Sequence, residues 1–242
     1  ILDTDYMRTY FLFFWTQPNV FFISASNAQR KLLPDLKYLA TIYHGVDAEE
    51  FAFNEAGGDA LMWAGRSIPE KGMDLVVRAA HHTHHDAKLF GIPRPEHQSW
   101  LQSEVLNKLD TSGGPRLSLV MGLSRHQLIE QYQTSKVFIL PISAEESFGL
   151  VFIEAMSCGT PVIAYAKGSV PEVIVDGETG FIVNSSDEDI RGDWIVKKTG
   201  IAGLCEAIER IYAMPAHEYA ALRRRCRERV IHNFTIERMV DE

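Results

Sequence analysis

The sequence predicts an α/β fold in which a Rossmann-like, doubly wound parallel sheet is followed by a helical C-terminal tail. Three observations support this. Short apolar runs rich in β-branched and aromatic residues recur, helix-like segments separate most of them, and the chain from about Gly200 is helical in pattern. Continuous apolar runs are typical of strands buried on both faces of a parallel sheet. Regular alternation of strand and helix indicates right-handed βαβ units.

The candidate strands and helices follow one another in order along the chain. The predicted strands are VFFISAS, ATIYHGV, ALMWAGR, KLFGI, RLSLVMG, KVFILP, PVIAYA and GFIV. The predicted helices between strands are MDLVVRAAHHTHH, PEHQSWLQSEVLNKLD and SRHQLIEQYQTS, the last with Ser124 as N-cap. The tail is predicted to form three helices, GLCEAIERIYAM, AHEYAALRRRCRERVIHN and TIERMVDE. Sheets of this kind bind ligands at the carboxyl ends of their strands, so functional residues are expected just after strands.

Composition excludes some classes of function. The chain has 242 residues and a formal net charge of -8, which argues against nonspecific nucleic-acid binding and leaves only peripheral membrane association to be expected. Three scattered cysteines without a C-x-x-C pair favour a reducing, cytoplasmic location. The most apolar segment, which starts at Tyr10, is interrupted by TQPN and is too short on either side to span a bilayer.

The chain is predicted to divide near residue 45. Residues 1–45 contain one convincing strand–helix unit and are interpreted as the last part of a preceding domain plus a linker. Residues 46–242 are interpreted as a complete domain with C-terminal helices. Because the sequence opens on ILDTDYM without an initiator methionine, we expect a fragment whose N-terminal domain is largely absent.

One candidate site follows the strand ALMWAGR. Arg66 and Lys71 flank a proline-containing turn, after a predicted strand end at Gly65 and before a helix. Two cations beside a helix N-terminus at the carboxyl end of a strand suit a diphosphate. The alternative is a solvated turn in which Lys71 pairs with Glu70 or Asp74.

A second candidate site is the stretch ESFGLVFIEAMSCG. Gly149 begins a helical segment that ends at Gly159, and glycine at a helix start lets an anion approach the free amides. Side chains tilt towards a helix N-terminus, so the Glu154 carboxylate is expected to reach back towards that anion, where it suits vicinal hydroxyls. Glu146, in the preceding loop, suits a second polar group such as a sugar. The alternative is an exposed loop acid at Glu146 and a buried salt bridge at Glu154, with Arg66 or a ligand as its partner.

These motifs together resemble glycosyltransferase family 4. The resemblance rests on IYHGVDAEEF, GRSIPEKG and the continuous stretch VFILPISAEESFGLVFIEAMSCGTPVIAYAKGSVPEVIVDGETGFIV. It implies the two-domain GT-B architecture and a retaining hexosyltransferase that uses a UDP- or GDP-linked sugar. The acceptor would be an unknown sugar, lipid or small molecule. The resemblance implies no metal, no other cofactor and no protein nucleophile.

The resemblance also assigns roles to residues. Arg66 and Lys71 are expected to bind the donor diphosphate and to stabilise the departing nucleotide, and Glu146 to bind the donor sugar; these three form the expected catalytic set. Glu154 is expected to bind the ribose. The expected donor-binding backbone, for sugar, phosphates and base, is that of Gly65, Leu123, Ser124, Phe148, Gly149, Leu150 and Val151.

Alternatives remain open at this point. A sugar-nucleotide epimerase shares the GT-B architecture, and a truncated chain could be a nucleotide-sugar-binding module without catalysis. The family's N-terminal domain contributes a glycine-rich loop and a histidine near the donor sugar. Neither feature can be recognised in this sequence. The histidines of HHTHH are interpreted as a helix C-terminus in preference to a metal site. The basic run LRRRCRERV is predicted to be a solvated helix face.

Overall fold

The computed structural model describes residues 17–110 and 112–241. These residues form a six-stranded parallel sheet and a separate two-stranded parallel sheet. The strands are β1 (Phe22–Ser24), β2 (Tyr38–Thr41), β3 (Leu61–Arg66), β4 (Ala87–Ile92), β5 (Leu117–Met121), β6 (Val137–Leu140), β7 (Val162–Tyr165) and β8 (Gly180–Val183). Every apolar run predicted to be a strand overlaps one, although β2 starts at Tyr38 and shares only Ala40 and Thr41 with the predicted run ATIYHGV. The first part of the predicted 1–45 unit, including the start of the apolar segment at Tyr10, lies outside the described residues.

The helices occupy most of the predicted positions. They are α1 (Asn27–Leu32), α2 (Met73–Thr83), α3 (Gln98–Trp100), α4 (Arg125–Gln133), α5 (Leu150–Ser157), α6 (Val170–Val173), α7 (Gly200–Tyr212), α8 (Ala216–Asn233) and α9 (Ile236–Asp241). Ser124 caps α4 as predicted, because its hydroxyl accepts from the Gln127 amide while the Gln127 side chain accepts from the Ser124 amide. No helix in the described part of the chain combines the length and the apolarity that a bilayer span requires.

The predicted helix after β4 is not regular. A 3₁₀ turn over Pro95–His97 leads into α3, which is followed by a π-helical stretch over Leu101–Val105 and another 3₁₀ turn. The Leu106 amide donates to the carbonyls of both Leu101 and Gln102, so the hydrogen-bond ladder widens there from four residues to five.

The strand order of the large sheet confirms the predicted doubly wound fold. The order is β5-β4-β3-β6-β7-β8, and β3 pairs with both β4 and β6. The chain therefore moves outward in one direction from β3 and in the other direction from β6. Such a reversal leaves a crevice at the carboxyl ends of the two central strands, because their following loops diverge to opposite faces.

The core is built on the strands that the sequence marks most clearly. All residues of β6, β7 and β8 are buried, as expected for strands covered on both faces. Helix α2 packs against α7, and α5 packs against α8. Right-handed crossovers place these two helix pairs on opposite faces of the sheet.

The basic run on α8 corrects one prediction. Arg223 is fully buried and donates to the carbonyl of Asn54 at 2.6 Å and to that of Cys158 at 3.2 Å. Arg227 is partly buried and donates to the carbonyls of Phe51 and Ala48 at 2.8 Å each. The predicted solvated face is therefore wrong for these two arginines. They lie where α8 crosses the C-terminal end of α5, and they supply donors to backbone carbonyls at that end and in the segment 48–54.

Beyond α8 the chain returns to the linker after β2. The Val46 amide donates to the Phe234 carbonyl at 2.9 Å, and the Ile236 amide donates to the Val46 carbonyl at 3.3 Å. A Cβ on Gly45 would lie 2.2 Å from the Thr235 carbonyl oxygen, so this close approach requires glycine. The linker is thereby fixed to the C-terminal tail.

Candidate functional site

Two loops meet at the crevice between β3 and β6. Arg66 is the last residue of β3, is half-buried, and forms no ion pair or side-chain hydrogen bond with any described residue. The following 3₁₀ turn ends at Gly72, whose φ is +66°. A Cβ there would lie 2.6 Å from the Pro141 carbonyl oxygen in the loop after β6, so glycine allows the two loops to touch.

Lys71 and Glu146 join these loops through an ion pair. The Lys71 Nζ lies 2.7 Å from Glu146 Oε2, and the two side chains are only 16% and 13% exposed. Lys71 thus pairs with neither Glu70 nor Asp74, and Glu146 is not an exposed loop acid; both of those alternatives are wrong. Together with Arg66 these side chains line a small cavity of about 60 Å³.

The N-terminus of α5 opens beside this pair. Gly149 has φ +84°, and a Cβ on it would lie 2.4 Å from the Phe152 ring. Among the described residues, no acceptor takes a hydrogen bond from the backbone amides at 148–151. Leu150 is 46% exposed, so this end of the helix faces solvent. Unengaged amides and the helix dipole together favour an anion here.

A second loop, after β7, braces the loop that holds Glu146. The Ser169 amide donates to the Glu146 carbonyl at 2.9 Å, and the Ser169 hydroxyl donates to the Phe148 carbonyl at 3.0 Å. A Cβ on Gly168 would lie 2.1 Å from the Glu146 carbonyl oxygen, and the Gly168 amide donates to the Glu145 carboxylate at 2.7 Å. The sequence analysis did not identify these bracing residues. The KGSVPE stretch after a predicted strand could have pointed to Gly168 and Ser169. Glu145, which pairs with Arg191 at 2.6 Å, has no such signal.

Glu154 lies one turn along α5 on the side that faces α4. Its carboxylate accepts a hydrogen bond from the hydroxyl of the fully buried Tyr132 at 3.1 Å. The alternative of a buried salt bridge to Arg66 is wrong, because Glu154 forms no ion pair with any described residue. Partial burial of Glu154 raises the pKa of its carboxyl. The hydrogen bond from Tyr132 and the nearby charge of Arg125, at the start of α4, both lower this pKa, but burial outweighs them.

The remaining predicted residues lie along the same edge of the sheet. Leu123 and Ser124 follow β5, directly before Arg125, and so belong to the part of the site that contains Glu154. Gly65 lies within β3, opposite Gly91 of β4. The crevice therefore has one end that suits an anion, with Arg66, Lys71 and free amides, and a second end where the partly buried Glu154 carboxylate faces α4.

Comparisons with known proteins identify the family of the chain. The family described as Glycosyl transferases group 1 matches residues 48–192. The chain belongs to this family. Its relatives include D-inositol 3-phosphate glycosyltransferase from Mycolicibacterium smegmatis, 36% identical over 55% of this chain and 30% of the relative. D-inositol 3-phosphate glycosyltransferase 2 from Catenulispora acidiphila is 31% identical over 81% of this chain and 50% of the relative. The chain thus spans half or less of these relatives.

Solved structures share the fold. HepE from Anabaena, in complex with UDP and glucose, superposes with a TM-score of 0.80 over 99% of this chain and 66% of that chain at 17% identity. Sucrose-phosphate synthase from Thermosynechococcus elongatus superposes with a TM-score of 0.70 over 90% of this chain and 55% of that chain at 25% identity. The group 1 region of this chain contains β3 to β8 and therefore the entire crevice.

The burial of Glu154 predicts a pH-dependent effect on stability. Its raised pKa means that the folded chain binds this proton more tightly than the unfolded chain. The stabilising contribution is therefore full below the ordinary Glu pKa and is lost as the pH rises through the raised value. Glu154→Gln is expected to increase the free energy of unfolding over wild type at pH 8, with a smaller difference at pH 5. Urea unfolding without nucleotide tests this, with the exposed Glu188→Gln as control; a variant less stable than wild type at pH 8 would contradict it.

Proposed function

We propose that this chain carries the donor-binding part of a retaining hexosyltransferase of glycosyltransferase family 4, acting on a UDP- or GDP-linked sugar. The observation that carries the proposal is the crevice between β3 and β6, where Arg66, the Lys71–Glu146 pair and the unengaged amides at 148–151 converge. Two cations and several N–H donors suit a diphosphate, and the flanking carboxylates Glu146 and Glu154 suit hydroxyl groups on both sides of it.

The donor would lie along the edge of the sheet. Its diphosphate would contact Arg66, Lys71 and the α5 amides, its sugar Glu146, and its ribose Glu154, with the base beside the backbone of Leu123 and Ser124. Glu146 holds Lys71 at 2.7 Å, so sugar and diphosphate contacts would be made by one connected unit.

The chemistry follows from the charge that develops on the leaving group. As the sugar–phosphate bond breaks, Arg66 and Lys71 would stabilise the negative charge that accumulates on the nucleotide diphosphate. These fixed cations would serve in place of a divalent metal. The acceptor hydroxyl would attack from the face that the nucleotide leaves, with a donor phosphate oxygen taking its proton, so no protein nucleophile is assigned.

Three further points belong to this proposal. Residues 46–242 would form the donor domain, and residues 1–45 the end of an acceptor-side domain plus linker; the separate β1–β2 sheet supports this division. The acceptor would be bound mainly by that preceding domain. A cytoplasmic location is supported by Cys158, Cys205 and Cys226, all of which are free thiols.

Thermal-shift measurements with UDP- and GDP-linked sugars, each with and without EDTA, test the proposal. We expect nucleotide sugars with one of the two bases to raise the melting temperature of the protein clearly, and we expect EDTA to leave this increase unchanged. Glu154→Ala should weaken binding of the free nucleoside diphosphate about tenfold, as expected for a charge-assisted hydrogen bond lost from ribose. Glu146→Ala should instead reduce the gain in affinity that the attached sugar provides. The proposal would be overturned if no nucleotide sugar stabilised the protein, or if binding strictly required magnesium. Binding without transfer to any acceptor in a broad panel would indicate a module without catalysis.

A further inference from the structure

A carboxylate outside the crevice links the β1–α1–β2 unit to the donor-site loop. Glu172, on α6, accepts hydrogen bonds from the backbone amides of Asn27 at 2.8 Å and Ala28 at 2.6 Å, the first two residues of α1. It also accepts from the Tyr43 hydroxyl at 2.8 Å. Asn27 and Glu172 are 145 positions apart in the sequence, so this contact joins two distant parts of the chain.

The contact satisfies groups that would otherwise lack partners. The first amides of a helix have no acceptor within the helix, and a negative charge at that end also interacts favourably with the helix dipole. Burial, with Glu172 beside it, raises the pKa of Tyr43 to about 12, so the hydroxyl remains a proton donor. Glu172 therefore serves as a shared acceptor for α1 and for the linker after β2.

The same short helix also fixes the loop that contains Glu146. Ser169, directly before α6, donates to the backbone carbonyls of Glu146 and Phe148. The Glu172 amide in turn donates to the Ser169 carbonyl at 2.8 Å. A displacement of Glu172 would therefore be transmitted through Ser169 to the loop that holds Glu146.

A second contact runs in parallel with the first. The Phe148 ring packs against Tyr43 and His44 of the linker, with ring centroids 5.9 and 5.2 Å apart. The ring of Phe234, at the end of α8, also packs against the Phe148 ring, with centroids 5.7 Å apart. The linker thus touches the donor-site loop directly at Phe148 and indirectly through Glu172.

We propose that Glu172 is a positioning residue, which couples the docking of α1 and Tyr43 to the placement of Glu146. This inference rests on the proposed function, which assigns Glu146 to the donor sugar. In physical terms, Glu172 determines whether the loop at 143–149 is held in the arrangement that pairs Glu146 with Lys71. Donor-sugar binding would then depend on the β1–α1–β2 unit being in place.

Hydrogen exchange with mass spectrometry tests the coupling without any nucleotide. Glu172→Gln keeps one acceptor oxygen but turns an NH₂ group towards N–H donors, so we expect exchange about fivefold or more faster in peptides covering both 26–32 and 143–151. Tyr43→Phe keeps the ring contacts with Phe148 and should give a smaller change of the same pattern. Glu178→Gln, an exposed acid nearby, is the matched control and should leave both peptides unchanged.

The pattern of exchange decides the inference. Faster exchange in 26–32 alone would overturn it, because Glu172 would then hold only α1. If Glu172→Gln unfolds the whole chain, Tyr43→Phe decides: faster exchange in 143–151 supports the coupling, and an unchanged 143–151 peptide overturns it.

Binding of UDP and UDP-glucose separates positioning from a general loss of stability. In Glu172→Gln we expect UDP-glucose to lose several-fold more affinity than UDP, because the sugar depends on Glu146, whereas the diphosphate also contacts Arg66, which lies outside the 143–151 loop. Equal weakening of both ligands would contradict positioning. If neither ligand, nor GDP and GDP-mannose in the same assay, binds wild type, the proposed function fails, and the exchange data still decide the coupling.

Discussion

Replacing Lys71 by glutamine is expected to weaken nucleotide-sugar binding about ten- to a hundredfold, the largest effect on function that the crevice predicts. The Lys71 ammonium is one of two cations at the carboxyl ends of β3 and β6, and it is mostly shielded from solvent. Losing a charge-assisted hydrogen bond to a phosphate costs about 1.5–3 kcal/mol, which corresponds to that range of affinity. Isothermal calorimetry with the nucleotide sugar selected by thermal shift measures the change.

The Lys71–Glu146 pair complicates this result, because the glutamine variant also leaves Glu146 without its cation. A charge swap separates the two effects. Lys71→Glu combined with Glu146→Lys restores an ion pair but places the cation on the other loop. The free nucleoside diphosphate is the ligand for this test, because it has no sugar to contact Glu146. If Lys71 served only to pair Glu146, the swap would recover affinity for the diphosphate; if Lys71 binds the diphosphate, it will not. Lys108→Gln breaks a more exposed lysine–glutamate pair far from the crevice in sequence and should leave binding within about twofold.

Replacing Arg223 by methionine is expected to lower the free energy of unfolding by about 2–4 kcal/mol, the largest effect on stability. Methionine removes the cost of burying a guanidinium and fills part of its volume. Against this, the partly buried Asn54 carbonyl, which accepts from both Nε and Nη2, loses both of these donors. The carbonyls of Ser135 and Cys158 also lose a donor each. A hydrogen bond to a charged donor is worth about 1.5–3 kcal/mol, so the loss of several outweighs the gain.

Arg224 provides the matched control on the same helix. Its guanidinium is half-exposed and pairs with the exposed Glu55 at 3.2 Å, an interaction worth about 0–1 kcal/mol. Urea unfolding of Arg223→Met and Arg224→Met should therefore differ by at least about 1 kcal/mol. Equal losses for the two variants would show that burial of Arg223 does not determine its contribution.

Much of the fold could be predicted because the signals are local. A strand covered on both faces needs a continuous apolar run, and β6, β7 and β8 each have one. The cap of α4 was predicted from Ser124 and its helical pattern, because a cap is formed within one turn. The irregular segment 95–108 was not predicted, since its sequence is compatible with a regular helix and only the hydrogen-bond ladder departs from one.

The candidate site divides in the same way. The sequence predicts Arg66, Lys71, Glu146 and Glu154 as site residues because ligand sites in a parallel sheet lie at the carboxyl ends of strands; Arg66 ends β3, Lys71 follows it, and the two acids follow β6. It does not predict their partners. Tyr132 at Glu154, Ser169 at Glu146 and Glu172 at α1 come from elements remote in sequence, and no spacing rule relates them to the site.

The sequence alone determined the order of strands and helices, the parallel sheet, and the edge of that sheet on which functional residues lie, because periodicity and turn chemistry act over a few residues. Only the tertiary structure decided which charges are paired and which are buried. The LRRRCRERV run has the composition of a solvated helix face, yet Arg223 is fully buried because α8 crosses the carbonyls at the end of α5. Such pairings depend on which elements pack together, and no local pattern contains that information.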